Sequence, residues 1–349
     1  MSAGLIPATI LTGFLGSGKT TLLKRVLSEQ HGQKIAVIEN EFGEENIDNE
    51  ILVADTNEQI IQMNNGCVCC SIREDLRTTL SDLAAKRRRG ELHFDRVVIE
   101  TTGLADPGPV AQTFFMDDEI AESYLLDSIL TLVDAKHAHS QLDTRQEARC
   151  QVGFADQIFI SKTDLVSEDE VKALVHRLKQ MNPRAPMQQV HFGEVPIASV
   201  FDLRGFNLNT KLEIDPDFLN ADDSSHDHHG HEGHDHAPGE ACDQPRHHAH
   251  DDDVKSFVFK SDKPFSAPKL EDFLGSIVKV YGPTMLRYKG VLYMKGTDRK
   301  VIFQGVHQLM GSDMGPKWLP KEKKQSKMVF IGIDLPKAIL MHGLEGCLV

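Results

Sequence analysis

A glycine-rich stretch near the start of the chain constrains the fold more than any other feature. Residues 13–20 read GFLGSGKT and match the phosphate-binding pattern G-x-x-x-x-G-K-[S/T] at every fixed position. An apolar run at 8–11 precedes them, and apolar side chains recur at helical spacing over 20–30. A strand, a glycine loop and a helix in this order aim backbone N–H groups and the positive end of a helix at one point. We therefore predict a phosphate-binding loop rather than a turn without a ligand.

This phosphate loop predicts a set of nucleotide contacts. Lys19 is expected to reach the β- and γ-phosphates, and the Thr20 hydroxyl is expected to ligate Mg²⁺. The remaining predicted contacts in the loop and the first helical turn are Gly13, Gly16, Ser17, Gly18 and Thr21.

A second apolar strand, predicted over 96–100, ends in a carboxylate. Glu100 would lie beside the phosphate loop, where such a group holds Mg²⁺, usually through water. Gly103 follows at the spacing of a switch loop and would let the backbone approach the γ-phosphate. We favour this role over a surface glutamate and predict Lys19, Thr20 and Glu100 as the catalytic residues.

A third strand, predicted over 157–160, precedes a base-recognition motif. The motif is Ser161-Lys162-Thr163-Asp164. The Asp164 carboxylate could accept hydrogen bonds from N1–H and the exocyclic amine of guanine, whereas adenine offers no such pair of donors. Lys162 would lie along the base plane, and Ser161 supplies only a hydroxyl where the commoner motif has an asparagine amide. The sequence therefore favours a guanine-binding motif. Adenine binding and an ordinary charged turn are the less favoured alternatives.

Three of the six cysteines lie within four residues, at Cys67, Cys69 and Cys70. The chain does not open with a signal peptide, and its apolar runs are too short to span a membrane, so we expect reduced thiols in the cytoplasm. Three thiolates suit Zn²⁺ or Cu(I) but are one ligand short of a closed tetrahedral site. A carboxylate, a histidine or a client's ligand could be the fourth. The alternative is a redox-active or merely buried cluster.

Between the phosphate loop and the cysteines, a predicted strand over 34–38 runs into an acidic segment at 39–44. Glu39, Glu41 and Glu44 could coordinate metal, orient water or only be solvated, and the sequence does not separate these roles.

The composition divides the chain into three parts. We predict an α/β P-loop NTPase domain with a mainly parallel sheet over 1–200, a flexible linker over 213–253 and a smaller C-terminal α+β domain over 254–349. The linker holds nine of the 17 histidines and 13 acidic residues against one arginine, a net charge of −12 out of −14 for the whole chain. It is either a soluble spacer or, as we favour, a low-affinity metal reservoir.

The C-terminal part has its own pattern of elements. We predict strands over 254–260 and 328–333, a helix over 266–280, and a hairpin of residues 286–295 and 300–309. Basic residues cluster only at 86–89 and 321–324, so neither nucleic acid nor a membrane is an expected partner.

These motifs, in this order, resemble the CobW-like GTPases, relatives of the nickel-delivery GTPases of hydrogenase and urease maturation. The resemblance covers nearly the whole chain, and the Cys-x-Cys-Cys motif between the switch loops is quite specific to the family. It implies a GTP-dependent metallochaperone that binds Mg²⁺ and Zn²⁺, with Co²⁺ or Ni²⁺ as alternatives. It also implies Glu39, Glu44 and Cys69 as metal ligands, Cys67 and Cys70 as the rest of the thiolate motif, and a C-terminal domain that contacts partners.

The sequence thus predicts a GTPase that hydrolyses GTP and delivers metal to a client metalloprotein, with homo-oligomerisation left open. One rival is a zinc buffer in which nucleotide binding is only regulatory. Another is a signalling GTPase with structural cysteines. A P-loop small-molecule kinase is disfavoured because it would leave the motif at 161–164 without a purpose.

Overall fold

The computed structural model describes residues 5–29, 32–39, 59–62, 71–201, 203, 253–320 and 322–349. Within them the chain forms two sheets, one parallel and one antiparallel, each with its helices. The predicted linker lies outside the described residues except for Asp253, which forms an ion pair with Arg149.

In the described part of the chain, the first sheet has seven strands, and every neighbouring pair is parallel. The strands are β1 (Ile6–Gly13), β2 (Ile35–Glu39), β3 (Gln59–Gln62), β4 (Arg96–Glu100), β5 (Tyr124–Asp134), β6 (Gln157–Ser161) and β7 (Met187–Val190). Their order is β3-β2-β4-β1-β5-β6-β7. The central strands are buried almost throughout, as a sheet with both faces covered requires.

Among the described residues of this half there are seven helices: α1 (Lys19–Ser28), α2 (Ser71–Arg88), α3 (Pro107–Met116), α4 (Asp118–Ser123), α5 (Ala138–Thr144), α6 (Gln146–Phe154) and α7 (Glu168–Met181). A capping box forms at the start of α7, where the Ser167 hydroxyl accepts from the Glu170 N–H and the Glu170 carboxylate accepts from the Ser167 N–H. In the described part of the chain, none of the helices has the length and apolar character needed to cross a bilayer.

The second sheet has five antiparallel strands in the order β11-β10-β9-β12-β8. They are β8 (Val254–Ser261), β9 (Met285–Leu292), β10 (Arg299–Val306), β11 (Leu309–Lys317) and β12 (Ser326–Ile333), with helices α8 (Ala267–Tyr281) and α9 (Lys337–Gly346).

The predicted hairpin is present as β9 and β10, but its second strand ends earlier than predicted. His307 has a φ of 51° and turns the chain, so Leu309 begins β11 instead of ending β10. The edge strand β11 and the helix α9 were not predicted from the sequence.

A shared core joins the two sheets. Val254, Leu286 and Ile331 of the second sheet belong to the same buried cluster as the apolar side chains of β1, β4 and β5. Helix α6 lies at this junction: a side chain on Gly153 would place its first carbon 2.7 Å from the Leu286 Cδ1.

Candidate nucleotide-binding site

The phosphate loop lies between β1 and α1, as its pattern predicts. Gly16 and Gly18 have φ angles of 73° and 101°, a left-handed conformation that residues with a side chain rarely adopt. The Lys19 ammonium group is buried and donates to the carbonyl oxygens of Gly13 at 2.9 Å and Phe14 at 3.4 Å. The lysine is thus held over a cradle of backbone groups, and this donor set fits a di- or triphosphate.

The two residues predicted to hold Mg²⁺ are brought together. The Thr20 hydroxyl donates to Glu100 Oε1 at 2.9 Å, although the residues are 80 positions apart. Thr20 is in the first turn of α1 and Glu100 ends β4, which pairs with β1. A hydroxyl and a buried carboxylate beside a phosphate loop are hard oxygen ligands of the kind that Mg²⁺ prefers, so these residues fit that ion.

The loop after β4 packs directly on the phosphate loop. A side chain at Gly103 would place its first carbon 2.6 Å from the Leu15 backbone nitrogen, so only glycine permits this approach. The Thr101 hydroxyl donates to that of Thr12 at 2.8 Å and its N–H donates to the Leu11 carbonyl at 2.9 Å. The loop that carries Gly103 is therefore fixed against β1.

The base-recognition motif lies at the end of β6, and its serine contacts the phosphate loop. The Ser161 hydroxyl donates to the Ser17 carbonyl of the phosphate loop at 2.7 Å, so it ties β6 to that loop. Lys162 has a φ of 57°, and its ammonium group lies 2.7 Å from Asp134 Oδ2 at the end of β5. Asp134 is a member of the site that the sequence analysis did not identify.

The Asp164 carboxylate is half exposed on a short 3₁₀ turn (Thr163–Leu165). Its Oδ1 lies 3.7 Å from His191 Nδ1, at the turn that follows β7. Phe192 in that turn has a φ of 46° and is 74% exposed. Asp164 and the 191–193 turn thus lie together at the carboxyl ends of β6 and β7, and they offer a carboxylate and an exposed aromatic ring.

Most of the predicted thiolate site lies outside the described residues. This applies to Cys67, Cys69, Cys70 and Glu44, whereas Glu39 ends β2 and stands opposite Glu100 in the pairing of β2 with β4. Among the residues with described positions, groups of three or more candidate metal ligands do not occur. Cys150 and Cys347 are buried and form no disulfide, as expected for isolated thiols. The predicted thiolate site therefore stays a prediction.

A buried glutamine also contacts the site, and sequence motifs did not reveal it. Gln151 on α6 donates from Nε2 to the carbonyl oxygens of Gly103 and Ala105. The sequence holds no clear signal for it, because α6 also carries Gln146, Glu147 and Arg149, and a polar residue on a helix does not by itself indicate a partner 48 residues away.

Comparisons with known proteins cover nearly the whole chain. The family model described as "CobW/HypB/UreG, nucleotide-binding domain" matches residues 7–189, and "Cobalamin synthesis protein cobW C-terminal domain" matches 254–348. The zinc chaperone YjiA of Escherichia coli is 40% identical over 344 residues, 98% of each chain. The zinc-regulated GTPase metalloprotein activator 1 of Dictyostelium discoideum is 32% identical over 345 residues, 88% of this chain and 66% of the relative. The crystal structure of Zn(II)-bound YjiA GTPase from E. coli aligns with a TM-score of 0.74 and 35% identity, covering 99% of each chain.

Proposed function

Since the chain belongs to the CobW/HypB/UreG family, we propose that it is a GTP-hydrolysing metallochaperone that delivers zinc, or a similar divalent metal, to a client protein. The relatives that support this are named a zinc chaperone and a zinc-regulated GTPase. Delivery to a client metalloprotein is part of this proposal. Assembly of the chain into a homo-oligomer is left open.

One observation gives the main support for nucleotide binding and hydrolysis. The Thr20 hydroxyl and the Glu100 carboxylate form a hydrogen bond beside the phosphate loop, in which Lys19 donates to the Gly13 carbonyl. When bound, Mg²⁺ supplies charge neutralisation at the β- and γ-phosphates. On nucleotide binding, Lys19 would exchange its two carbonyl acceptors for phosphate oxygens. Thr20 and Glu100 would be the protein ligands of Mg²⁺. Glu39, Glu41 and Glu100 are the candidates for orienting the attacking water.

The base end supports GTP over ATP. The Asp164 carboxylate is exposed, so the N1–H and exocyclic amine of guanine could donate to it. The Lys162 side chain is held by its bond to Asp134. The Ser161 hydroxyl is engaged with the phosphate loop, so base selection rests on Asp164.

Zinc is proposed to bind at Cys67, Cys69 and Cys70, with Glu39 and Glu44 as further ligands. The support is the thiolate chemistry of the motif together with the names of the relatives. The motif begins five residues after Gln62, which pairs with Glu39 across β3 and β2.

The test is zinc affinity measured by chelator competition in the nucleotide-free, GDP-bound and non-hydrolysable-GTP-bound states. The full chain is compared with a variant lacking residues 213–252, which removes the histidine-rich sites. We expect at least a tenfold difference in affinity between the two nucleotide states, because a delivery cycle requires coupling of that order. Equal affinities would favour a zinc buffer.

Lys19→Ala is the matched control for that experiment. It is expected to abolish GTP turnover and leave the zinc affinity of the nucleotide-free protein unchanged, because an ammonium group has no lone pair with which to ligate zinc and Lys19 donates to the phosphate loop. Persisting hydrolysis in this variant would exclude the phosphate loop as the catalytic site.

A further inference from the structure

Helix α6 carries a buried glutamine that reaches the loop beside the γ-phosphate position. Gln151 is 1% exposed, and its Nε2 donates to the Gly103 carbonyl at 3.1 Å and the Ala105 carbonyl at 3.0 Å. The glutamine backbone is fixed as well, since the Thr131 hydroxyl of β5 donates to its carbonyl at 2.8 Å. One side-chain amide therefore holds the loop after β4 at two points.

The loop held by Gln151 is the one that approaches the phosphate loop most closely. Gly103 lies against the Leu15 backbone, with no room between them for a side chain. A displacement of Gly103 would therefore either move Leu15 or break the two hydrogen bonds from Gln151. The glutamine keeps the loop where a γ-phosphate would meet it.

The C-terminal turn of α6, which also contains Gln151, is anchored to the second sheet. Gly153 packs on Leu286, and the Phe154 carbonyl accepts from Arg287 Nη1 at 2.9 Å. The Phe154 ring also meets the His307 imidazole edge to face, with 5.2 Å between the ring centres. Within residues 151–154, helix α6 therefore contacts both the Gly103 loop and the C-terminal sheet, which gives a short path between them.

We propose that Gln151 is a positioning residue that couples the γ-phosphate state of the Gly103 loop to the C-terminal sheet. This rests on the proposed function, since it requires that the site holds GTP and GDP in turn. A ligand shifts a conformational equilibrium only by its differential affinity for the two states, and such coupling acts in both directions. Because Gln151 holds the Gly103 loop in place, the site favours the nucleotide that carries a γ-phosphate. Through α6, the identity of the bound nucleotide then alters the conformation of the second sheet.

Asn182 is the matched control for a buried amide with a purely structural role. It is also 1% exposed, and its Nδ2 donates to the Val152 and Ala155 carbonyls at 2.9 Å, at the C-terminal end of the same helix. Its assigned hydrogen bonds go to that helix end and to residues 184–185 instead of the Gly103 loop.

The experiment compares the full-length wild type with Gln151→Met and Asn182→Leu. Affinities for GDP and for a non-hydrolysable GTP analogue are measured by fluorescence titration, and hydrogen exchange of β9 is followed in both states. Gln151→Met is expected to weaken the analogue about tenfold and GDP less than about twofold, and to erase the β9 difference between nucleotide states. Asn182→Leu is expected to lower thermal stability while keeping the affinity ratio.

An unchanged affinity ratio in a folded Gln151→Met protein would overturn the proposal, as would identical β9 exchange in the two nucleotide states of the wild type. If the methionine variant does not fold, Gln151→Asn withdraws the amide by one methylene and is expected to shift the ratio in the same direction. A wild type that binds both nucleotides without hydrolysing GTP would overturn the proposed function, and the ratio would still decide the role of Gln151.

Discussion

At the scale of single residues, Asp134 organises the base end of the site. It is 1% exposed at the end of β5, and its carboxylate accepts from Lys162 Nζ at 2.7 Å and from the Lys136 N–H at 2.9 Å. His137 Nδ1 lies 2.9 Å from the same carboxylate. Burial alone would raise the pKa of Asp134, but the hydrogen bonds from Lys162 and His137 hold it below its ordinary value. The carboxylate is therefore ionised when it positions Lys162.

Asp134→Asn is expected to weaken GDP and a GTP analogue equally, by about tenfold, because it releases Lys162 at the base end, which both nucleotides share. Nucleotide titration measures this, with the exposed Asp169→Asn as the control. A folded pKa below the unfolded one means that the ionised group stabilises the protein at neutral pH, and that this contribution is lost as the pH falls below about 4. The variant should therefore lose less stability than the wild type on acidification. Unchanged affinities would show that Lys162 is positioned without Asp134.

Local patterns explain which site residues could be predicted. Lys19, Thr20 and Glu100 occupy fixed places in a strand–loop–helix unit or at a strand end, and the structure brings them together. The hydrogen bond from the Ser161 hydroxyl to the Ser17 carbonyl could not be predicted, because it depends on how the end of β6 lies beside the phosphate loop. Gln151 could not be predicted, since its partners are set by how α6 packs and not by spacing.

At the scale of elements, periodicity predicted the long helices and the buried strands. The α7 capping box and the amphipathic α8 follow directly from residue spacing. Strand β11 was missed because Gly311, Gly315 and Pro316 interrupt any apolar alternation, which suits an edge strand that needs no second neighbour. Such a strand is specified by its pairing with β10 rather than by its own composition.

Two helical glycines provide a test of how tightly α6 is fitted. A methyl group at Gly153 would lie 2.7 Å from Leu286 Cδ1 and 3.3 Å from Val254 Cγ1, whereas nothing lies within 4 Å at Gly275 of α8. Gly153→Ala is expected to lower the free energy of unfolding by about 1 kcal/mol through overpacking. Gly275→Ala should raise it by about 0.5 kcal/mol, because alanine favours the helix. Urea denaturation of both variants measures the sign, and a stabilised Gly153→Ala would show that the junction is loosely packed.

At the scale of the whole molecule, a buried ion cluster joins the two sheets. Asp156, which precedes β6, accepts from Arg287 at 2.7 Å and 2.8 Å, and Lys289 Nζ lies 3.6 Å away. The aspartate also accepts from the Ile129 N–H at 3.0 Å, which ties the cluster to β5. Because all three charged side chains are buried and the apolar core continues across the junction, we expect the two halves to unfold together.

Arg287→Met removes the main partner of a buried carboxylate while keeping much of the arginine's apolar stem. We expect the free energy of unfolding to fall by about 3 kcal/mol, at the low end for a broken buried pair, because Lys289 still offsets part of the aspartate charge. The matched control is Lys317→Met, which breaks an exposed pair with Asp298 and should leave the free energy of unfolding almost unchanged, because water screens the two charges. Urea denaturation gives the free energy of unfolding of both variants, and calorimetry is the second, independent measurement. If Arg287→Met were as stable as Lys317→Met, the apolar core alone would hold the two sheets together.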